Sequence, residues 1–474
     1  MTANAHDVWT LIEQDRETFF ALSDRVWDTP ELNFNEFASS DAHAQMLAER
    51  GFRVTRGVAG LPTAVIGEAG EGGPVIAIMG EFDALPGLSQ AAGLAEKREL
   101  VAGGNGHGCG HNLLGAGAMM AADGVRRYLA EKGIEARVRY YGCPAEEGGS
   151  GKGFMVRAGA FEDVDVAISW HPSAVAAVSL PVSLACQEFV YSFKGRAAHA
   201  AGAPHLGRSA LDAVELMNVG VNYMREHMPQ TARVHYAITD AGGVAPNVVQ
   251  AFASVRYLIR ARSLPELMPL VARVDKIAQG AALMTETSMS RRFVSGDADL
   301  VGNGPLEALM QRELERLGAP AFDAADHAFA QQIQATLTAE EIDDTFRRAR
   351  MEPVEGLALI DRVLPLGSGD PNFVGSTDVG TVSWVVPTVQ MRGATHAIGT
   401  ALHSWQATAQ GKSSVAKKGM EHAAKVMAAT ALALIEEPGL IDKAKADHAQ
   451  RLKRTPFQSP IPDDAAPDLP QAAE

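Results

Sequence analysis

Cysteine is scarce in this chain. Cys109, Cys143 and Cys186 are the only three among 474 residues, and they are widely spaced, which excludes the disulfide framework of a small secreted domain. Positive charge is also in deficit: 42 Lys and Arg against 57 Asp and Glu leave a formal charge of −15. A phosphate backbone is bound mainly through clustered Lys and Arg, so nucleic acid is not an expected partner. An anionic membrane surface repels such a chain for the same reason. No run approaches the roughly 20 apolar residues that span a bilayer. The opening stretch MTANAHDVWTLIEQDRETFF carries acids and no unbroken apolar segment, unlike a signal peptide. The expected compartment is the cytoplasm.

What is present fits a soluble globular protein, with 46% hydrophobic and 21% charged residues in a chain too long for one ordinary core. Residues 8–49 have the period of amphipathic helices. TAVIGEA, PVIAIMGEF, EARVRYYG and VDVAIS then read as short buried strands. They alternate with helices, the clearest being NLLGAGAMMAADGVRRYLAEKG, for which Asn112 is the expected cap and Gly133 the stop. That alternation predicts an α/β fold: a mixed, largely parallel sheet flanked by helices. From 186 to 297 the order changes to β-α-β-β-α-β, a ferredoxin-like block. The expected organisation is a discontinuous catalytic domain, 1–185 and 298–474, interrupted by an inserted domain, 186–297. The Pro-, Asp- and Ala-rich end, 455–474, is expected to be mobile.

Chemistry-bearing residues fall where the strands should end. Asp83 follows PVIAIMGEF, Glu146 and Glu147 follow EARVRYYG, and His171 follows VDVAIS; sites of open α/β sheets assemble at that edge. Residues 106–115, GHGCGHNLLG, set His107, Cys109 and His111 among glycines. Each has a bland alternative, because a lone cysteine packs well in a core and a lone histidine is usually structural. Glycine, however, lets the backbone turn so that Cys109 and His111 address one space, with His107 ranked behind them. The Glu146–Glu147 pair could be a solvated acidic loop. Its glycine-hemmed place after an apolar strand suits instead one carboxylate on a metal and one free to take a proton from water that a metal has acidified. With His171 and with His403, which precedes a helix, Cys109, His111 and Glu147 form a scattered set of sulfur, nitrogen and oxygen ligands suited to Zn²⁺, Mn²⁺ or similar cations.

GEFDALPG, GCGHNLLG, CPAEEGGSGK, WHPS and FKGRAAHAAGAP, in that order, resemble the motifs of the di-metal aminoacylase/carboxypeptidase family. The Cys-Gly-His form resembles its amidohydrolase branch, which includes the indole-acetyl-amino-acid hydrolases. CGHNLLG, STDVGTVSW and HSWQATAQGK are most similar to p-aminobenzoyl-glutamate hydrolase-like and β-alanyl-lysine dipeptidase-like proteins, and the likeness runs from about 15 to 440. The resemblance implies two divalent metal ions (Mn²⁺ or Zn²⁺) on Cys109, His111, Glu147, His171 and His403. It implies Glu146 as general base and Asp83 in support beside the metals. His199 is implied to reach a neighbouring subunit's site and stabilise the tetrahedral intermediate. Asn247 and Arg260 are implied to hold the substrate carboxylate or the oxyanion. Many relatives read CGHD, so Asn112 is expected to alter the surroundings of His111. Cys143 is expected to be a packing residue, and His205 has no derivable role.

The expected activity is hydrolysis of the amide of an N-acyl or aminoacyl amino acid, p-aminobenzoyl-glutamate-like or dipeptide, with a small-molecule substrate and an inserted domain that closes over it. A homodimer through that domain is expected, or a heteromer with a homologous subunit. The competing expectation is a metal-binding partner subunit with little activity alone, although no ligand or base position is missing. A thiol redox protein is excluded because no second cysteine lies at C-x-x-C spacing.

Overall fold

The computed structural model describes residues 4–372 and 375–470. In chain order the strands are β1 (Arg53–Arg56), β2 (Val65–Glu71), β3 (Val75–Glu81), β4 (Ala136–Cys143), β5 (Val166–Ser173), β6 (Ala177–Val178), β7 (Ala185–Lys194), β8 (Arg233–Asp240), β9 (Phe252–Ala261), β10 (Ser288–Asp297) and β11 (Thr388–Ala394). Seven form the central sheet, in the order β1-β2-β4-β3-β5-β11-β6. Its middle is parallel, β3 with β4 and β5, and β5 with β11. The pairings toward its edges are antiparallel.

Covered on both faces, β3 has no exposed residue, as parallel strands under two helical layers require. Ile76 and Ile78 face one core with helices Asn4–Trp27, His111–Lys132 and Ser414–Glu436, while Val75, Ala77 and Met79 face another with helix Gly151–Arg157. Trp170 locks the first layer. Its Nε1 donates to Leu114 O at 3.0 Å, and glycines at 117 and 393 make room, since a Cβ at either would lie within 2.9 Å of the indole.

The remaining strands form a second, antiparallel sheet in the order β10-β7-β9-β8. With helices Ala210–Met224 and Leu264–Thr285 it has the anticipated β-α-β-β-α-β order and encloses its own core around Tyr191, Val214, Met217, Tyr257 and Val274. The fold class is therefore the expected one.

Two local expectations need correction. Asn112 does not cap its helix, which starts at His111 behind Gly110 in a left-handed turn (φ 77°); Gly133 does end it. His171 lies within β5 rather than after it, because pairing with β11 runs on to Ser173. The described part of the tail lies against the fold: Ile461 is 1% exposed, Pro462 O accepts from Arg157 Nη1 at 3.0 Å, and Asp468 pairs with Arg292 at 2.9 Å. Residues 471–474 lie outside the described residues.

Candidate metal centre

Parallel strands bring their carboxyl ends to one edge, and the chemistry collects there. Glu81 ends β3, with Asp83 two residues on; Glu146 and Glu147 follow β4, and His171 is near the end of β5. Cys109 and His111 flank Gly110 at the N-terminus of helix His111–Lys132, where the helix dipole favours anionic groups. A side chain at 110 would meet Pro172 at 3.0 Å on top of its positive φ, so glycine is required for the turn that aims both neighbours inward. Ala145 (φ 56°) and His403 (φ 60°) are also left-handed, a costly conformation for these residues that recurs where side chains are aimed at a site.

Cys109 Sγ is 3.5 Å from His171 Nε2, and His403 Nε2 is 3.3 Å from Glu147 Oε1. His111 Nδ1 lies 2.8 Å from Asp83 Oδ1, which turns Nε2 inward, 3.9 Å from Glu147 Oε1 and 4.0 Å from Glu146 Oε2. Among the described residues three groups have donor atoms all within 4.8 Å of one another: Cys109, His111 and His171; Cys109, Glu147 and His403; and Glu81, His111 and Glu146. The first two share Cys109, so its sulfur stands between two positions. Glu81 Oε2, His111 Nε2 and Glu147 Oε1 are buried without a hydrogen-bond partner. Orphaned buried polar atoms are rare in folded proteins, and three at one place, with sulfur, nitrogen and oxygen donors, fit a site for divalent cations.

The electrostatics agree. Burial, then the charges of Glu81 and Glu147, push Glu146 well above the usual carboxylate range, which suits a proton acceptor. Burial and the charge of Glu147 push the Cys109 thiol up. Burial opposes charge on His111, yet Cys109 and Asp83 outweigh it and hold the imidazole well above its ordinary value. Burial, then Arg392, drives His171 well below.

Seven anticipated residues thus meet: Asp83, Cys109, His111, Glu146, Glu147, His171 and His403. His199, Asn247 and Arg260 do not join them. His199 and Asn247 lie together on the exposed face of the second unit, where Ala200 N donates to Asn247 O at 3.0 Å. Arg260 is on β9, opposite Cys186, and its Nε is buried without a partner. His107 joins none of these donor groups, and its Nε2 is 3.0 Å from Val26 O. Cys143 is fully buried packing, with Sγ 3.7 Å from Tyr141 O. Asn112 donates to Ser23 Oγ at 2.9 Å and Gly411 O at 3.1 Å, so it is Asp83, not residue 112, that bonds His111.

The model of peptidase family M20/M25/M40 matches residues 77–432. The chain belongs to that family. It is 46% identical to one of the subunits of the p-aminobenzoyl-glutamate hydrolase of Escherichia coli (strain K12), over 96% of this chain and 97% of that protein. It is 30% identical to the Xaa-Arg dipeptidase of Mus musculus, over 93% and 91%. Among solved structures, the dinuclear metal binding peptidase YXEP of Bacillus subtilis shares the fold (TM-score 0.54, 17% identity, 89% of this chain and 99% of that one). Like the curated members of its family, the M20 chain is a hydrolase acting on amide bonds.

Reading the sequence missed three residues of this M20 site. Glu81, Lys152 and Asp378 are buried and linked, Lys152 Nζ lying 2.5 Å from Glu81 Oε1 and 2.6 Å from Asp378 Oδ1. The available signal was positional: Glu81 stands at the same strand end as Asp83, and Lys152 follows the glutamate pair by five residues.

Proposed function

We propose that this chain is a two-metal amidohydrolase for N-acyl amino acids, with p-aminobenzoyl-glutamate-like amides as the substrate class ahead of dipeptides. The observation that carries the reading is the pair of donor triads that share Cys109, with Glu146 beside them. Cys109, His111 and His171 would hold one divalent ion, and Cys109, Glu147 and His403 the other. Cations bound there would polarise the amide carbonyl and acidify the attacking water. Glu146 accepts the water proton and delivers it to the departing amine. Asp83 keeps His111 in one tautomer and orientation.

Residues 186–297 serve as the closing and dimerisation unit on the catalytic domain formed by 1–185 and 298–474. On it, exposed His199 and Asn247 suit work at a partner subunit's site, where a donor aimed at developing negative charge stabilises the tetrahedral intermediate. Arg260, with a buried unpartnered Nε, suits a substrate carboxylate through its planar fork. The p-aminobenzoyl side of the proposal leans on the 46% identical relative. That relative is one subunit of its hydrolase, which supports a second reading in which full activity needs a homologous partner chain. Three buried free thiols favour a reducing compartment, the cytoplasm. Among the described residues no helix is long and apolar enough to cross a membrane.

The deciding experiment is amine release by the purified chain supplied with Mn²⁺ or Zn²⁺. The panel holds p-aminobenzoyl-glutamate, indole-acetyl-amino acids, N-acetyl amino acids and β-alanyl and Xaa-Arg dipeptides. Turnover of p-aminobenzoyl-glutamate that Glu146→Ala abolishes is the expected result. Turnover of dipeptides alone moves the substrate class. Silence with metal bound, relieved by adding a homologous partner chain, favours the second reading.

A further inference from the structure

We propose that Glu81 is an additional metal ligand of this centre, pinned by the buried pair Lys152 and Asp378; the inference rests on the two-metal reading above. Glu81 closes β3 with its side chain 2% exposed. One of its oxygens is occupied, since Oε1 accepts from Lys152 Nζ at 2.5 Å. Lys152 is itself fully buried and held from behind, its Nζ 2.6 Å from Asp378 Oδ1 and its backbone N–H 2.9 Å from Asp378 Oδ2. This clamp fixes the direction of the Glu81 carboxylate. The other oxygen, Oε2, has no hydrogen-bond partner and lies 3.3 Å from His111 Nε2, which has none either.

The spacing is that of two ligands on one cation. Donors each about 2.0–2.2 Å from a shared ion stand roughly 3.0–3.5 Å apart at angles near 90–110°. Two pairs in the proposed ligand set have this spacing: Glu147 with His403 at 3.3 Å and Cys109 with His171 at 3.5 Å. Glu81, His111 and Glu146 form a third group of donors within 4.8 Å of one another, on the carboxylate side of His111. Charge points the same way. Lys152 answers one of its two carboxylates, and with Asp83, Glu146 and Glu147 alongside, the buried acids of this centre outnumber Lys152 and His111; a buried carboxylate without compensation is costly. A cation on the free oxygen supplies that compensation. The further oxygen donor also shifts the centre toward harder ions such as Mn²⁺, relative to sulfur and nitrogen alone.

The test is metal binding by the apo protein, measured against a chelating indicator, together with the visible spectrum after loading with Co²⁺. In Glu81→Gln, which keeps shape and an acceptor for Lys152, one of the two metal equivalents is expected to bind at least tenfold more weakly, with an altered Co²⁺ spectrum. Lys152→Met, which leaves the carboxylate but frees it, is expected to weaken the same equivalent by a smaller factor. Should Glu81→Gln fail to fold, Glu81→Asp carries the expectation of Glu81→Gln, because it keeps the charge for Lys152 and withdraws the oxygens by about 1.5 Å. Wild-type affinity for both equivalents with an unchanged Co²⁺ spectrum overturns the proposal. A separate arm protects the distinction: if the unmutated protein binds no metal, the two-metal reading itself falls.

Discussion

His111 Nδ1 lies 2.8 Å from Asp83 Oδ1, and the other oxygen of the same carboxylate accepts the Glu147 backbone N–H at 2.9 Å. Asp83 therefore orients one ligand through its ring and another through its backbone. Burial raises the proton affinity of Asp83, but the charge of His111, its hydrogen bond and the Glu147 N–H outweigh burial and keep the carboxyl below its usual range. Asp83→Asn keeps the size but turns an amide nitrogen toward one of two N–H donors. Metal affinity is expected to fall about 10–100-fold, the usual cost of losing such an outer partner. Chelator competition measures it, and wild-type affinity would make Asp83 incidental.

Glu146 is the group asked to move a proton. Glu146→Gln keeps its volume and removes its basicity. We expect kcat to fall by about 10²–10⁴ while metal content and KM stay near wild type. A variant that loses its metal along with its activity would show that Glu146 binds rather than shuttles.

Much of this was legible in the sequence because two periodicities and one rule do the placing. Unbroken apolar runs such as VIAIM predict doubly covered parallel strands, and the carboxyl-edge rule then gathers Asp83, Glu146, Glu147 and His171 without any contact being known. Glu81 and Lys152 escaped because their roles are reciprocal. A buried lysine is intelligible only once its carboxylates are seen, and Asp378 lies 226 residues away from it. Asn112 was misread as a cap, since the left-handed turn at Gly110 starts the helix earlier. The partners of Asn112, Ser23 and Gly411, come from both ends of the chain, a relationship no local pattern encodes. The helices at 324–334 and 339–349 have capping boxes, at Asp323 and Thr338, but what they support was not readable. Gln334 donates to Ile398 O at 3.0 Å, and Thr345 Oγ1 accepts from Gly399 N at 3.2 Å, so they brace the segment leading to His403.

If His199 acts on a partner's site, two defective chains should repair each other. His199→Ala and Glu146→Gln are each expected to be nearly inactive as homodimers. Mixed and allowed to exchange subunits, they form heterodimers in which one site has both an intact Glu146 and an intact partner His199. Activity above that of either parent after mixing is expected. An unrepaired mixture, with subunit exchange shown by mass, places His199 in its own chain's site or outside catalysis.

The packed tail gives a stability prediction. Ile461 is 1% exposed beside helix Gly151–Arg157, where a Cβ on Gly153 would meet its Cδ1 at 2.7 Å. Ile461→Ala is expected to cost about 2–4 kcal/mol, the range for truncating a buried aliphatic side chain. Chemical denaturation measures it; a change under about 0.5 kcal/mol, typical of a surface site, would mean the tail is not anchored there.

Acid should destabilise the fold through two buried histidines outside the proposed ligand set. His422, on helix Ser414–Glu436, is buried with Nε2 2.7 Å from Gly318 O, and burial lowers its pKa from 6.5 to about 4. His43, with Nδ1 2.8 Å from Ser39 O, is lowered by burial to about 4 as well. Both are neutral in the folded chain at neutral pH, and the unfolded chain takes up their protons first as pH falls. A depressed folded value means the stabilisation is fully present above about pH 6.5 and is lost on the way down to about 4. Each histidine accounts for up to about 3 kcal/mol at about 1.4 kcal/mol per pKa unit. His422→Gln keeps an amide donor for Gly318 O and removes the titration. Denaturation of the metal-free protein at pH 7.5 and 5 is therefore expected to show a smaller loss in His422→Gln than in wild type. An identical loss in both would show that His422 is protonated without cost, and that acid sensitivity arises elsewhere.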